Sequence, residues 1–273
     1  MKLLKLMGAR IRSRTEQIEL DERSTKSSIG KERNFYDKKL ITRIERPNGE
    51  IIEESKQIMY EIKHFYQQLY SSTIKDEDEN QLQNYVNEST NIPLLNETEK
   101  SICEGNLTLD ECYSSLKYFK NNKSPGCDGL TIEFYKTFWY CIGHKLVESL
   151  NFAKNKGVLS ISQRRAVISL LHKKGKPEKH IKNWRPISLL NNDYKIMTKT
   201  LAKRLEKVVS TIVHSNQSGF VKGRFIGEGI RFMDDIIDYA DKHNIHGLAL
   251  QLDFEKAFDS VEWKFLITVL NKF

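Results

Sequence analysis

One acidic residue, Asp253, stands where a carboxylate could hold a metal ion. The apolar run 247–250 predicts a buried strand over residues 247–253, which would carry this carboxylate at its C-terminal end. The backbone carbonyl of Phe254 supplies a second oxygen, and the bulky ring of Phe258 follows five residues after Asp253. Mg²⁺ prefers oxygen ligands, and metal ions assist nucleotidyl transfer. The spacing therefore predicts a Mg²⁺ site for nucleotidyl transfer, with Phe258 beside the sugar of the nucleotide.

Each of these residues also has a structural explanation. An Asp that follows a strand is commonly a turn or helix-capping residue, and a single Phe is commonly a core residue. It is the combined spacing, and neither residue alone, that favours the chemical interpretation.

A second candidate is a basic hairpin around Arg185. Strands are predicted at 166–171 and 186–190, joined by a lysine-rich turn. The planar guanidinium of Arg185 suits phosphate oxygens, and the following proline fixes the local backbone direction. We expect a cationic wall for a triphosphate or a template strand, although each lysine taken alone fits a solvated turn. The lysines of this wall are Lys173, Lys174 and Lys176.

Two glycine-containing loops are weaker candidates. Residues 123–129 could form a nest of backbone N–H groups that binds an anion, or a purely structural turn. Residues 217–224 could approach a nucleic-acid backbone closely through their glycines, or simply connect two helices. The nucleic-acid contacts predicted in this second loop are Gln217, Gly219 and Arg224.

The run Phe232–Asp235 resembles an aromatic-x-Asp-Asp polymerase hairpin, but two features argue against a catalytic role. It precedes Asp253, whereas the polymerase order places this motif later in the chain. Apolar residues at helical spacing also predict an amphipathic helix over about 226–243, with both aspartates towards solvent or a neighbouring helix.

The remaining sequence is mostly helical in pattern. Residues 1–46 are polar, basic and predicted to be helical, and an Asn-Gly turn at 48–49 predicts a hairpin. Ser55 caps a helix, and the acidic run 76–79 is interpreted as a solvated linker. Thr108 and Glu111 form a capping box at the start of another helix. Further helices are predicted at 131–140, 143–156 and 192–213, and from near Ser260.

Charge is distributed unevenly along the 273 residues, whose net charge is +8. Residues 161–207 carry 13 Lys or Arg and 3 Asp or Glu, which indicates a surface for polyanions. The 4 cysteines lack zinc-ligand spacing and fit reduced thiols. No apolar run approaches the length of a membrane span, so we expect an intracellular protein of the nucleus or the cytoplasm.

Taken in order, these segments resemble the reverse transcriptase of LINE-type (non-LTR) retrotransposons. The similarity begins at residues 123–130 and 133–135, continues through 183–191 and 193–196, and includes 217–220 and 253–259. It extends more weakly upstream, to 48–50 and 65–70, and so covers nearly the whole chain.

The resemblance implies an α+β fold: the fingers and the first part of the palm of a right-hand polymerase, preceded by a mostly helical region. The expected domains are a basic N-terminal extension at 1–100 and a partial reverse transcriptase domain at 101–273. By this likeness Asp253 and Phe254 hold Mg²⁺, with Mn²⁺ as an alternative. Phe258 excludes the ribose hydroxyl, and Arg185 contacts the incoming deoxynucleotide triphosphate. Phe254 is expected to contact the nucleotide as well. The expected partners are an RNA template and a DNA primer, and no membrane.

The leading hypothesis is an RNA-directed DNA polymerase module that ends just after its first catalytic aspartate. A single carboxylate does not hold two metal ions, so we expect no primer extension from this chain by itself. The alternatives are a non-catalytic nucleic-acid-binding remnant of a retroelement, and a decayed gene product that is unstable when made.

Overall fold

The computed structural model of the chain describes residues 41–72, 76–88, 92–254 and 257–273. Grouped by their contacts, these residues form two units: 41–65 with 106–200, and 66–105 with 201–273. Most of the N-terminal region that was predicted to be helical, residues 1–40, lies outside the described residues. The predicted domain boundary near residue 100 stays a prediction.

Within the described part of the chain, helices and two antiparallel hairpins make up the regular structure, which confirms the α+β class. The strands are Ile44–Glu45 (β1), Ile51–Ile52 (β2), Ala166–His172 (β3) and Trp184–Leu190 (β4). The helices are Ser55–Leu69 (α1), Asp76–Glu88 (α2), Glu97–Cys103 (α3), Leu109–Tyr118 (α4), Ile132–Lys156 (α5), Ile161–Arg164 (α6), Asn192–Glu206 (α7), Val209–Ile212 (α8), Ile226–Lys242 (α9), Ala257–Ser260 (α10) and Trp263–Lys272 (α11).

The small hairpin β1–β2 confirms the predicted Asn-Gly turn. Gly49 has a φ of 85°, which favours glycine, and its N–H donates to the Arg46 carbonyl at 2.9 Å. Ile44 and Ile52 are buried against Ile58 of α1, so that this short hairpin closes a local core.

Helix α4 begins as the capping box predicted. Thr108 Oγ1 accepts from the Glu111 N–H, and the Glu111 carboxylate accepts from the Thr108 N–H. Cys112 and Leu116 are fully buried on the inner face of the helix. The amphipathic spacing and the cap together therefore located this element correctly.

Helix α5 is continuous, although two helices were predicted there, at 131–140 and at 143–156. A Cβ at Gly143 would lie 2.9 Å from the Trp139 ring and 3.2 Å from Leu109 Cδ1. The missing side chain allows α4 to pack closely on α5, so Gly143 serves packing and does not break the helix. Gly157 caps the C-terminal end in the left-handed conformation, as predicted.

The lysine-rich hairpin and the helix after it are also present. β3 pairs with β4 in the register Ala166↔Leu190 to His172↔Trp184. The predicted helix 192–213 is instead divided into α7 and the short α8. The chain turns at Lys207 and Val208, and the side chain of Val208 is fully buried there.

Two predictions about the second unit were wrong. The acidic run 76–79 is not a linker, because it lies within α2, which packs on α11 and buries Val86. The strand predicted at 247–253 is also not formed. A strand is stable only when its backbone pairs with a neighbouring strand, and no described residue pairs with this segment.

Among the residues that the structure describes, no helix combines the length and the apolarity needed to cross a bilayer.

Candidate nucleotide and nucleic-acid site

The lysine-rich hairpin brings Arg185 and the three predicted lysines to the same end of the first unit. Arg185 is exposed and lies opposite Leu171, one residue pair before the turn. The backbone closes this turn, since Lys173 N–H donates to the Asn183 carbonyl at 2.8 Å. Lys174 and Lys176 are exposed on the turn, and Lys173 is half-buried. No described carboxylate forms an ion pair with Arg185, so its fork is open to an anion.

The connection between the two strands is held against β1. The Lys179 ammonium pairs with the Glu45 carboxylate and lowers the pKa of that carboxyl, and the Glu45 N–H donates to the Lys179 carbonyl at 2.8 Å. Ile181 packs on the core formed by β1, β2 and α1. The Trp184 indole donates to the Glu178 carbonyl at 2.7 Å. These contacts order the backbone that presents the basic residues.

Asn191, at the junction of β4 and α7, is the buried centre of the loop 123–129. Its Oδ1 accepts from the Asp128 N–H at 3.3 Å and from the Cys127 thiol at 3.4 Å, and its amide nitrogen donates to the Ser162 carbonyl at 3.0 Å. The side chain has no exposed surface, so these bonds replace all contact with water. An Asn before a helix is typical of a cap, and no local pattern of residues indicates this tertiary role.

The same loop is coupled electrostatically to the first turn of α7. Burial raises the pKa of Asp128, and the nearby Asp193 carboxylate raises it further. Burial lowers the pKa of Lys195, which Asp128 partly offsets. Burial also raises the pKa of Tyr135, and the negative charges of Asp193 and Asp128 raise it further. The group thus holds two acids and a lysine in a partly water-excluded place. An anion-binding role for residues 123–129 stays a prediction.

In the second unit, the residues predicted around the metal are exposed. Asp253 lies in an irregular segment, and the exposed fractions are 80% for Phe254 and 97% for Phe258. The described residues contain no group of three or more His, Cys, Asp or Glu side chains placed to hold a metal ion. The roles predicted for Asp253, Phe254 and Phe258 stay predictions.

The loop 217–224 is organised by Arg224. Its guanidinium donates to four backbone carbonyls, those of Ser210, Val213, His214 and Gln217, at 2.6 to 3.2 Å. Most of the donor capacity of Arg224 is therefore used inside the loop. Gln217 is exposed, and its amide nitrogen lies 3.4 Å from the Gly219 carbonyl. The nucleic-acid contacts predicted for this loop stay predictions.

The aromatic-x-Asp-Asp run lies on a helix, as expected. Residues 232–235 are within α9, and Asp234 and Asp235 are exposed. The prediction of a helix in place of a polymerase hairpin is confirmed.

Known proteins resemble this chain in the region of both candidate sites. The family model described as reverse transcriptase (RNA-dependent DNA polymerase) matches residues 171–273, a range that includes Arg185 and Asp253. Residues 171–273 resemble the reverse transcriptase of LINE-type retrotransposons. Within the reverse transcriptase match lie β4, the basic turn, the Arg224 loop and the Asp253 segment.

Three relatives show how far this likeness extends. The chain is 37% identical over 267 residues to the Transposon TX1 uncharacterized 149 kDa protein of Xenopus laevis. It is 27% identical over 168 residues to the probable RNA-directed DNA polymerase from transposon BS of Drosophila melanogaster. It is 25% identical over 174 residues to the retrovirus-related Pol polyprotein from type-1 retrotransposable element R1 of Bradysia coprophila.

These matches cover 97%, 61% and 61% of this chain, respectively. They cover 20%, 18% and 16% of the relatives, so that the chain spans about a fifth of their length. The similarity to the Xenopus protein includes nearly all of the region upstream of the family match.

Proposed function

We propose that the chain supplies nucleotide- and template-binding parts of an RNA-directed DNA polymerase, together with its first metal-binding carboxylate. The ordered basic hairpin carries this proposal, because it presents Arg185, which pairs with no described carboxylate, beside three lysines on a fixed backbone. Right-hand polymerase architecture, with the hairpin in the fingers and the Asp253 segment in the palm, belongs to the same proposal.

The proposed roles follow from the chemistry of each group. Arg185 binds the triphosphate of the deoxynucleotide through its planar fork, and the lysines contact the phosphates of the RNA template or DNA primer. Phe258 lies beside the sugar and excludes a ribose hydroxyl. Gln217 and Gly219 lie along the nucleic-acid backbone, while Arg224 holds their loop in shape.

Reverse transcriptases use divalent metal ions, and the donors of this chain are of the appropriate kind. The Asp253 carboxylate and the Phe254 carbonyl are hard oxygen donors, and Asp253 is exposed to solvent. Mg²⁺ binds one or two carboxylates and substrate phosphates and keeps several waters, so these two groups fit part of its shell. When bound, the ion would neutralise triphosphate charge and activate the primer hydroxyl.

Nucleotide binding tests the role of Arg185. The affinity for a fluorescent deoxynucleotide triphosphate in Mg²⁺ should fall roughly tenfold in Arg185→Gln, because a bidentate charge-assisted contact is lost. Lys145→Gln is the matched control, since Lys145 is an exposed cation on α5 that pairs with Glu148. Equal affinities in wild type and Arg185→Gln would contradict the proposal. Asp253→Asn should remove the dependence on Mg²⁺.

A second candidate function is non-catalytic binding of nucleic acid, favoured by the same hairpin, whose basic turn is complete within one unit. Binding of an RNA–DNA hybrid should weaken with salt, and neutralising Lys173, Lys174 and Lys176 together should reduce the salt slope by up to about 3. Hybrid binding without Mg²⁺-dependent nucleotide binding would favour this second function over the first.

A further inference from the structure

The residues that directly follow α1 contact the chain just beyond Asp253. The Tyr70 hydroxyl donates to Asp259 Oδ1 at 3.1 Å, and the Ser72 hydroxyl donates to Glu262 Oε2 at 2.9 Å. The partners are 189 and 190 residues apart in sequence. Two donors near the end of one helix thus meet two carboxylates on the segment that follows the candidate metal ligand.

Neighbouring contacts extend this support towards residue 273. Helix α2 packs on α11, and the Leu95 N–H donates to the Phe273 carbonyl at 3.1 Å. All of these residues belong to the second unit. The supporting residues lie between 70 and 95, upstream of the range 171–273 that matches the family model.

Tyr70 is itself held in place. Its ring stacks on that of Tyr66, with centroids 6.2 Å apart and an angle of 23° between the rings, and Tyr66 is buried. Burial raises the pKa of the Tyr70 phenol, and the negative charge of Asp259 raises it further. The hydroxyl therefore keeps its proton at neutral pH and remains a donor to the carboxylate.

The segment that bears the metal ligand has few anchors of its own. Residues 247–254 form no hydrogen bond with another described residue, and Leu248, Leu252 and Phe254 are at least 77% exposed. The hydrogen bond between Tyr70 and Asp259 lies only six residues after Asp253. It is therefore the nearest described restraint on the position of the Asp253 carboxylate.

We propose that Tyr70 is a positioning residue: its hydrogen bond to Asp259 sets the place of the segment that carries Asp253 and Phe258. The region upstream of the family match then takes part in building the metal and nucleotide site. This inference rests on the proposed function. It assigns a role to Tyr70, which lies outside the range that matches the family model.

The structural arm of the test measures amide hydrogen exchange of residues 257–262 in the full chain. Tyr70→Phe removes only the hydroxyl and should speed exchange there by roughly three- to tenfold. The control is Tyr60→Phe, at an exposed tyrosine on α1, the helix that precedes Tyr70, which should leave exchange unchanged. Asp259→Asn keeps an acceptor oxygen and should preserve slow exchange, whereas Asp259→Ala should match Tyr70→Phe.

The functional arm measures Mg²⁺-dependent binding of the fluorescent deoxynucleotide. Tyr70→Phe should weaken it by a similar factor and leave binding of the RNA–DNA hybrid and the unfolding midpoint nearly unchanged. Asp259→Asn should retain nucleotide affinity. An equal loss of hybrid binding, nucleotide binding and stability would instead show a general structural role and overturn the proposal.

The two arms separate the failure of this inference from failure of the proposed function. If wild type shows no nucleotide binding that depends on Asp253, the proposed function is wrong and so is the functional consequence assigned to Tyr70. If that binding is present but Tyr70→Phe changes neither exchange nor affinity, the positioning role alone is wrong.

Discussion

Strand β3 and the segment 247–254 are both apolar and short, but their conformations differ. β3 pairs along its whole length with β4, its neighbour in sequence beyond a basic turn. Leu248, Leu250 and Leu252 alternate as a strand would, yet they are 102%, 81% and 77% exposed. A hairpin satisfies its backbone from within a short stretch of sequence, whereas a lone strand needs a partner from elsewhere.

The same contrast holds for the loops beside the candidate site residues. Residues 123–129 are packed around the buried Asn191, while residues 247–254 lack described hydrogen-bonded anchors. Sites built on well-packed elements hold their geometry more firmly than sites on free segments. We therefore expect the first region to be sensitive to small substitutions and the second to tolerate them.

The largest effect should come from adding one methyl group to the first region. In Gly126→Ala the new Cβ would lie 2.1 Å from Asn191 Oδ1 and 2.5 Å from the Asn191 backbone nitrogen. Because the backbone of Asn191 must move, the free energy of unfolding should fall by roughly 3 kcal/mol, as measured by urea denaturation.

Gly247→Ala is the matched control in the second region. A Cβ there meets no atom within 4 Å, and the backbone is not in the left-handed range. The same methyl group should change stability by less than about 0.5 kcal/mol. Equal losses from the two substitutions would contradict the contrast between the packed loop and the free segment.

An intermediate loss of stability is expected at high pH, where the buried Tyr66 of the second unit would lose its proton. Burial raises the pKa of Tyr66 to about 12, above the value of about 10 for an unfolded tyrosine. The folded state binds this proton more tightly, so the contribution is fully present below pH 10 and is lost as pH rises towards 12.

Tyr66→Phe should remove that part of the pH dependence. The difference in unfolding free energy between wild type and variant should be constant from pH 7 to 9 and should narrow above pH 10, in urea titrations at each pH. A difference that stays constant up to pH 12 would show that Tyr66 titrates normally.

The smallest effect is expected on the uncovered segment. Leu250→Lys places a charge where the leucine is 81% exposed, so the unfolding midpoint of the chain should hardly change. A large loss of stability would show that Leu250 is covered in solution, and would restore the buried strand that the apolar pattern predicted.

Much of the fold follows from local signals. The capping box at Thr108, the Asn-Gly turn before Glu50 and the glycine at 157 each act within a few residues, and each was located correctly. Helix α2 was missed because its acidic composition resembles a linker, while its stability comes from packing on α11.

For the candidate sites too, some features follow from local sequence signals and others only from tertiary packing. The sequence by itself determined the types of the candidate site residues and the resemblance to reverse transcriptases. It also determined the hairpin that holds Arg185 beside its lysines, since these signals are carried by adjacent residues. Tertiary structure alone decided that Asn191 is the centre of a loop 63 residues away and that Tyr70 meets Asp259 across 189 residues. Hydrogen bonds over such separations depend on how distant elements pack, and no local pattern of residues encodes that packing.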